Sequence, residues 1–148
     1  MLTIHAATAL RRTLDEEPVV DEAVAVSDDR IAAIGPLAEL VERYPQARVR
    51  RWPGTLGPAL VHEDRVPAAP TPRERIHALL RLGATAVRAD RVPDPELRVA
   101  ARRSGVAVLE APRPPTLVPS ARADLAVFDD EGTCVATVLA GRVMHRRA

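Results

Sequence analysis

Apolar residues along this chain fall in short runs at two spacings, and the change of spacing divides it into three parts. In the first, Leu2–Ala6 is a short apolar strand and Asp15-Glu16-Glu17-Pro18 a polar turn. Glu22–Ser27 and Arg30–Ile34 flank an Asp28-Asp29 turn, which predicts a β-hairpin. Pro36 stands where a helix can begin, Leu37, Leu40 and Val41 share one face, and Pro45 stops it. Arg48–Trp52 reads as one more strand.

In the middle, Pro53, Pro58, Pro67, Pro70 and Pro72 punctuate a stretch whose apolar run is Ala59-Leu60-Val61. Thr71-Pro72-Arg73-Glu74 is a capping box with proline at the first helical position. Ile76, Leu79, Leu80 and Gly83 follow at i, i+3, i+4 and i+7, with Gly83 suited to end the helix. Ala84–Val87 is a buried-type strand. Asp94-Pro95-Glu96 starts a second helix, Gly105 ends it, and Val106–Leu109 is a further strand. Strand, helix, strand, helix, strand is the order of a parallel sheet with right-handed crossovers. Pro112, Pro114, Pro115 and Pro119 form a stiff linker, after which Asp124–Phe128, Cys134–Ala140 and Arg142–His145 return to short strands.

Composition narrows the function classes. With 148 residues, nearly half of them hydrophobic, the chain is globular. All 21 basic residues are arginine and 20 acidic residues nearly balance them, so net charge argues against nucleic acid as a partner. The dense basic spot is the tail, Arg142, Arg146 and Arg147. Trp52, Tyr44 and Phe128 are the whole aromatic complement, too few to stack nucleobases. A single cysteine, Cys134, excludes an intrachain disulfide and a multi-cysteine zinc site. No leader or membrane-length apolar run is visible, and the expectation is a cytoplasmic protein with no membrane role.

Two separated stretches resemble one family. Val24, Val26, Arg30, Ile31, Ile34 and Gly35 fill the pattern V-x-V-x-x-G-R-I-x-x-I-G, with Asp29 where glycine is usual. Ala123-Asp124-Leu125 followed by a hairpin closing on Gly141-Arg142-Val143 fills a second pattern. Together they resemble the N- and C-terminal segments of the amidohydrolase superfamily, imidazolonepropionases among them. The likeness covers Met1 to about Val66 and Thr116–Ala148. It implies a mixed α/β fold: a composite β-sandwich from residues 1–57 and 116–148, with residues 58–115 as a small βαβαβ remnant of the family's barrel.

The same resemblance casts doubt on the family's chemistry. Its members activate water on one or two metal ions held by a barrel of about 250 residues. Here about sixty residues separate Gly57 from Pro119, too few to close eight strands. The family's first-strand motif is Pro-Gly, two apolar residues, Asp, any residue, then His-any-His. Aligned on Pro53-Gly54, it puts Gly57 at the aspartate and Ala59 and Val61 at the histidines. A bridging carboxylated lysine is impossible without lysine. Pro112, Arg113, Pro114 and Pro115 occupy the place of the late catalytic aspartate.

The residues left to weigh are few. His62-Glu63-Asp64 could be a displaced ligand cluster, with His62 and Asp64 converging on one face of a strand and His77 or Asp90 as further donors to a divalent metal such as zinc. A polar strand end is the simpler reading, and His77 reads as a solvated helix residue. His5 and His145 fall on sandwich strands. Cys134 fits a small core hydrophobe better than a nucleophile. Asp28-Asp29 and Asp129-Asp130 suit turns through local backbone hydrogen bonds, and seven scattered glycines make no phosphate loop.

These readings favour a degenerate relative without a cofactor, serving as a binding or assembly module. The alternative is a hydrolase of carbon–nitrogen bonds with a reduced or intersubunit site. Open edges of a three-stranded parallel sheet point to a homo-oligomer, a dimer, with a full-length amidohydrolase as another possible partner.

Overall fold

The computed structural model describes residues 1–147 and builds them from three sheets and three helices. The strands are β1 (Leu2–Ala6), β2 (Ala9–Leu10), β3 (Val19–Val20), β4 (Glu22–Ser27), β5 (Arg30–Pro36), β6 (Arg48–Arg51), β7 (Thr55–Pro58), β8 (Leu60–His62), β9 (Ala84–Arg88), β10 (Ala107–Leu109), β11 (Leu125–Phe128), β12 (Cys134–Leu139) and β13 (Arg142–Arg146). The helices are α1 (Leu37–Arg43), α2 (Pro72–Arg81) and α3 (Pro95–Ser104).

A four-stranded sheet, β5-β4-β1-β6, faces a six-stranded sheet, β13-β12-β11-β7-β2-β3, and the two enclose the main core. In β4 the alternation is of size, because both faces are covered. Val24 and Val26 fill the space between the sheets with Leu56, Leu125 and Val127. Ala23 and Ala25 point the other way, where their short side chains join Ile4, Ala33 and Leu40 beneath α1. Helix α1 buries Leu40 and packs Leu37 and Tyr44, while Val41 is 42% exposed. The buried stripe therefore runs i, i+3, i+7, and Val41, which the sequence pattern groups with Leu37 and Leu40, lies outside it.

The six-stranded sheet depends on both ends of the chain. Strand β7 pairs in parallel with β2 and antiparallel with β11, setting Pro58 opposite Leu125. Strands β2, β3 and β7 are short and paired at long range, and the apolar pattern does not reveal them.

From Leu60 the chain enters the three-stranded parallel sheet β10-β9-β8. Helix α2 starts as its capping box predicts: Thr71 Oγ1 accepts from the Glu74 N–H and donates to the Glu74 carboxylate. Asp94 caps α3 by accepting from the Glu96 N–H. Gly105, at φ +84°, supplies the left-handed residue that ends α3. Ile76, Leu79, Leu80, Leu97 and Ala101 pack against Leu60, Val87 and Val108, so both helices cover one face of this sheet. The same cluster takes in Leu139 and Met144 of the sandwich, and Thr137 Oγ1 donates to the Leu80 carbonyl at 2.6 Å. Among the described residues no helix is long and apolar enough to cross a membrane.

Candidate functional site

The face of the parallel sheet turned away from the helices is the one that would look into a closed barrel. Across it run Val61, Ala86 and Ala107, cross-strand neighbours on β8, β9 and β10. They floor a cavity of about 420 Å³. The proline-rich segment after β10 walls it with Arg113, Pro114 and Pro115, so this linker is part of the site's shape.

Thr85, Arg122 and Asp124 line the cavity and form one hydrogen-bonded group. Arg122 Nε lies 3.0 and 2.9 Å from the two Asp124 oxygens, and its Nη2 donates to Oδ2 at 2.7 Å. Thr85 Oγ1 also donates to Oδ2, and the Ala140 N–H donates to Oδ1. Arg122 Nη1 reaches the Gly105 carbonyl at 2.8 Å. Every oxygen of this carboxylate is thus committed to donors that fasten β9, the end of α3 and the β12–β13 turn to the start of β11. The Ala-Asp-Leu signature reads as this joint, which sequence could show only as a pattern.

The remaining candidates stand where the parallel strands end. His62 Nε2 lies 3.0 Å from the Arg65 carbonyl, which closes the loop after β8. Glu63 is exposed, 3.7 Å from Arg88 Nη1, and its carbonyl accepts from Arg91 Nε. Asp64 and Asp90 are exposed, Asp90 on a single 3₁₀ turn after β9. His77 is half-buried on α2, in a groove with Thr71, Glu74, Arg81 and Arg103 on the helix-covered side. Among the described residues no three His, Cys, Asp or Glu side chains group as a metal site would need. With Ala59 and Val61 at the histidine positions and Asp124 held by Arg122, the donors present do not fit a catalytic metal.

Cys134, Asp129 and Asp28 are structural in placement. Burial pushes the Cys134 thiol above its ordinary pKa, and its Sγ lies 3.4 Å from the Ala136 carbonyl and 3.3 Å from Thr137 Oγ1. A thiol in that setting is not a thiolate nucleophile. Burial, more than any neighbour, lowers the His145 pKa. Asp129 Oδ1 accepts from the N–H groups of Glu131 and Thr133, the local turn bonding expected of it. Asp28 sits at φ +52°, a conformation that aspartate tolerates, but its Oδ1 accepts from the Met1 ammonium group at 2.7 Å, a contact from far along the chain.

Residues 23–47 match the family described as imidazolonepropionase-like composite domain, bacteria. No curated protein matches the chain. Among solved structures, E. coli guanine deaminase aligns at TM-score 0.51 and 15% identity over 70% of this chain and 33% of its own. Guanine deaminase from Bradyrhizobium japonicum aligns at 0.51 and 12%, over 70% and 32%. A. niger ochratoxinase aligns at 0.50 and 20%, over 78% and 30%. The chain thus spans about a third of the length of these structures, and the likeness is one of fold. On these matches the chain resembles an imidazolonepropionase-like composite domain over residues 23–47 and shares its fold with part of these larger structures.

Proposed function

We propose that this protein is a degenerate amidohydrolase relative that works as a binding and assembly module and not as a metal hydrolase. The observation that carries the reading is the inward face of the parallel sheet. Val61, Ala86 and Ala107 offer no side-chain ligand there, and the one carboxylate at the cavity, Asp124, is already satisfied by Arg122, Thr85 and a backbone N–H. What this face provides is a small apolar floor with an orienting polar wall, the composition of a ligand pocket. The free edges of β8 and β10 supply the assembly surface, and a second copy of the chain is the partner we assign to them.

Metal analysis of tag-free protein tests the reading directly. Zinc, iron and manganese are expected together at less than about a tenth of an equivalent per chain. EDTA should leave the melting temperature unmoved, because a metal bound at a hundred times its dissociation constant would add about 2.7 kcal/mol to stability. One equivalent of a metal, lost on His62→Ala or Asp64→Ala, would overturn the proposal in favour of a reduced hydrolase site. Sedimentation from 1 to about 100 μM tests the assembly half, for which a constant monomer mass is the contrary result.

A further inference from the structure

Away from the cavity, the edge of the sandwich gathers arginines that sequence shows as two unrelated groups. Arg50 on β6 is paired across β1 with His5, and Arg48 with Thr3, so both share the face that looks toward the second sheet. On β13, Arg146 stands opposite Ala136, whose side chain belongs to the core between the sheets. Both strands are outermost in their sheets. Arg48 and Arg50 thus stand two residues apart on one face of an edge strand, and the charges of both Arg48 and Arg146 are felt at Arg50. Arg50 is held over the Trp52 ring, its Cζ 5.3 Å from the centroid.

Nothing among the described residues neutralises them. Among the described residues the arginine ion pairs engage Arg12, Arg30, Arg88, Arg122 and Arg147, and none involves Arg48, Arg50 or Arg146. Burial first, and then the charges of Arg48 and Arg146, lower the Arg50 pKa. Beside them lies a second unmet donor. His5 Nδ1 accepts from Trp52 Nε1 at 3.2 Å, so the neutral ring carries its proton on Nε2, which is buried and without an acceptor.

We infer that Arg48, Arg50 and Arg146, backed by His5 and Trp52, form a binding site for the phosphate group of a small phosphorylated ligand. A phosphate brings close to two negative charges and three acceptor oxygens, which suits planar guanidinium forks better than one carboxylate does. A nucleic-acid strand fits less well. Trp52 is buried beneath Arg50 and offers no ring to stack a base, and the chain's net charge is only +1.

The test is a titration of the intact protein with inorganic phosphate and pyrophosphate at low ionic strength, followed by NMR of the arginine Nε–H, His5 ring and Trp52 indole signals. Saturable shifts confined to Arg48, Arg50, Arg146, His5 and Trp52 are expected, with pyrophosphate the tighter ligand. The double variant Arg48→Gln/Arg146→Gln should weaken pyrophosphate at least tenfold. The control Arg73→Gln/Arg103→Gln, with the same change in net charge on exposed helix positions, should bind as the parent does. Non-saturating shifts spread over all arginines, or equal weakening in both variants, would overturn the inference. So would binding seen only with a single-stranded oligonucleotide and growing with its length, which would make the patch a polyelectrolyte surface.

Discussion

His5 is 2% exposed between the two sheets, and burial, with the charge of Arg50 second, lowers its pKa from 6.5 to about 4. The folded chain therefore keeps the ring neutral through a pH range in which the unfolded chain has already protonated it. Between these two values the unfolded state binds more protons, so stability rises with pH across the window. It is fully present above about pH 6.5 and is lost as the pH falls toward 4. With 1.36 kcal/mol per pKa unit, the loss attributable to this ring is about 2 kcal/mol at pH 5 and about 3 kcal/mol at pH 4. Typical domains hold only about 5–15 kcal/mol in total, so the effect is large enough to measure. Urea unfolding at pH 7, 6, 5 and 4.5, read from the fluorescence of Trp52, supplies the curve. His5→Asn supplies the reference, because its amide oxygen can still accept from Trp52 Nε1 while nothing at that position titrates. Acid also protonates Asp129, whose carboxyl is held below its ordinary pKa chiefly by the hydrogen bond from Arg147. That contribution is common to both proteins and cancels in the difference. The gap between parent and variant should narrow by about 2 kcal/mol from pH 7 to pH 5. Parallel curves would show that His5 is not the buried neutral base described here.

Other substitutions probe the joints of the fold. Asp124→Asn should destabilise the chain by about 1.5–3 kcal/mol in urea unfolding, since it removes charge-assisted bonds from Arg122, both residues being partly buried. An unchanged midpoint would mean that the joint between sandwich and parallel sheet lies elsewhere. Thr137→Val preserves shape and leaves the buried Leu80 carbonyl without its hydroxyl donor, for an expected loss of about 1–3 kcal/mol. Gly141→Ala forces a side chain onto a residue at φ +82° and presses its Cβ on the Asp28 backbone oxygen. A loss of at least about 2 kcal/mol should follow, and a melting temperature equal to the parent's would count against that turn geometry.

Local signals in the sequence account for the parts of the fold that local chemistry decides. The hairpin around Asp28-Asp29, the caps at Thr71 and Asp94 and the stop at Gly105 are each set by residues within a few positions of one another. Strands β2, β3 and β7 escaped because their partners are distant and their lengths too short for a period to register. Val41 was misplaced because a two-turn helix offers several apolar faces, and only packing against Ala23 and Ala25 selects one. At the site, the substitutions Gly57, Ala59 and Val61 are plain in the sequence. The cavity they border is not, because its wall comes from the proline segment and its polar groups from Thr85, Arg122 and Asp124, far apart in the chain. The arginine patch was hidden for the same reason: one strand of each sheet contributes to it.

The pairing of Pro58 with Leu125, reinforced by the Ala59 N–H donating to the Asp124 carbonyl at 3.1 Å, has a consequence for how such a chain can be remodelled. The sandwich fixes, side by side, the two points between which the intervening segment is strung. For a flexible segment between fixed ends, a fourfold change in length alters the closure entropy by only about 1.2 kcal/mol. In the unfolded chain, closing this clasp around a segment of barrel length or around a three-stranded fragment therefore costs nearly the same entropy. Most of a catalytic domain could then be removed in evolution while the sandwich beneath it kept its register.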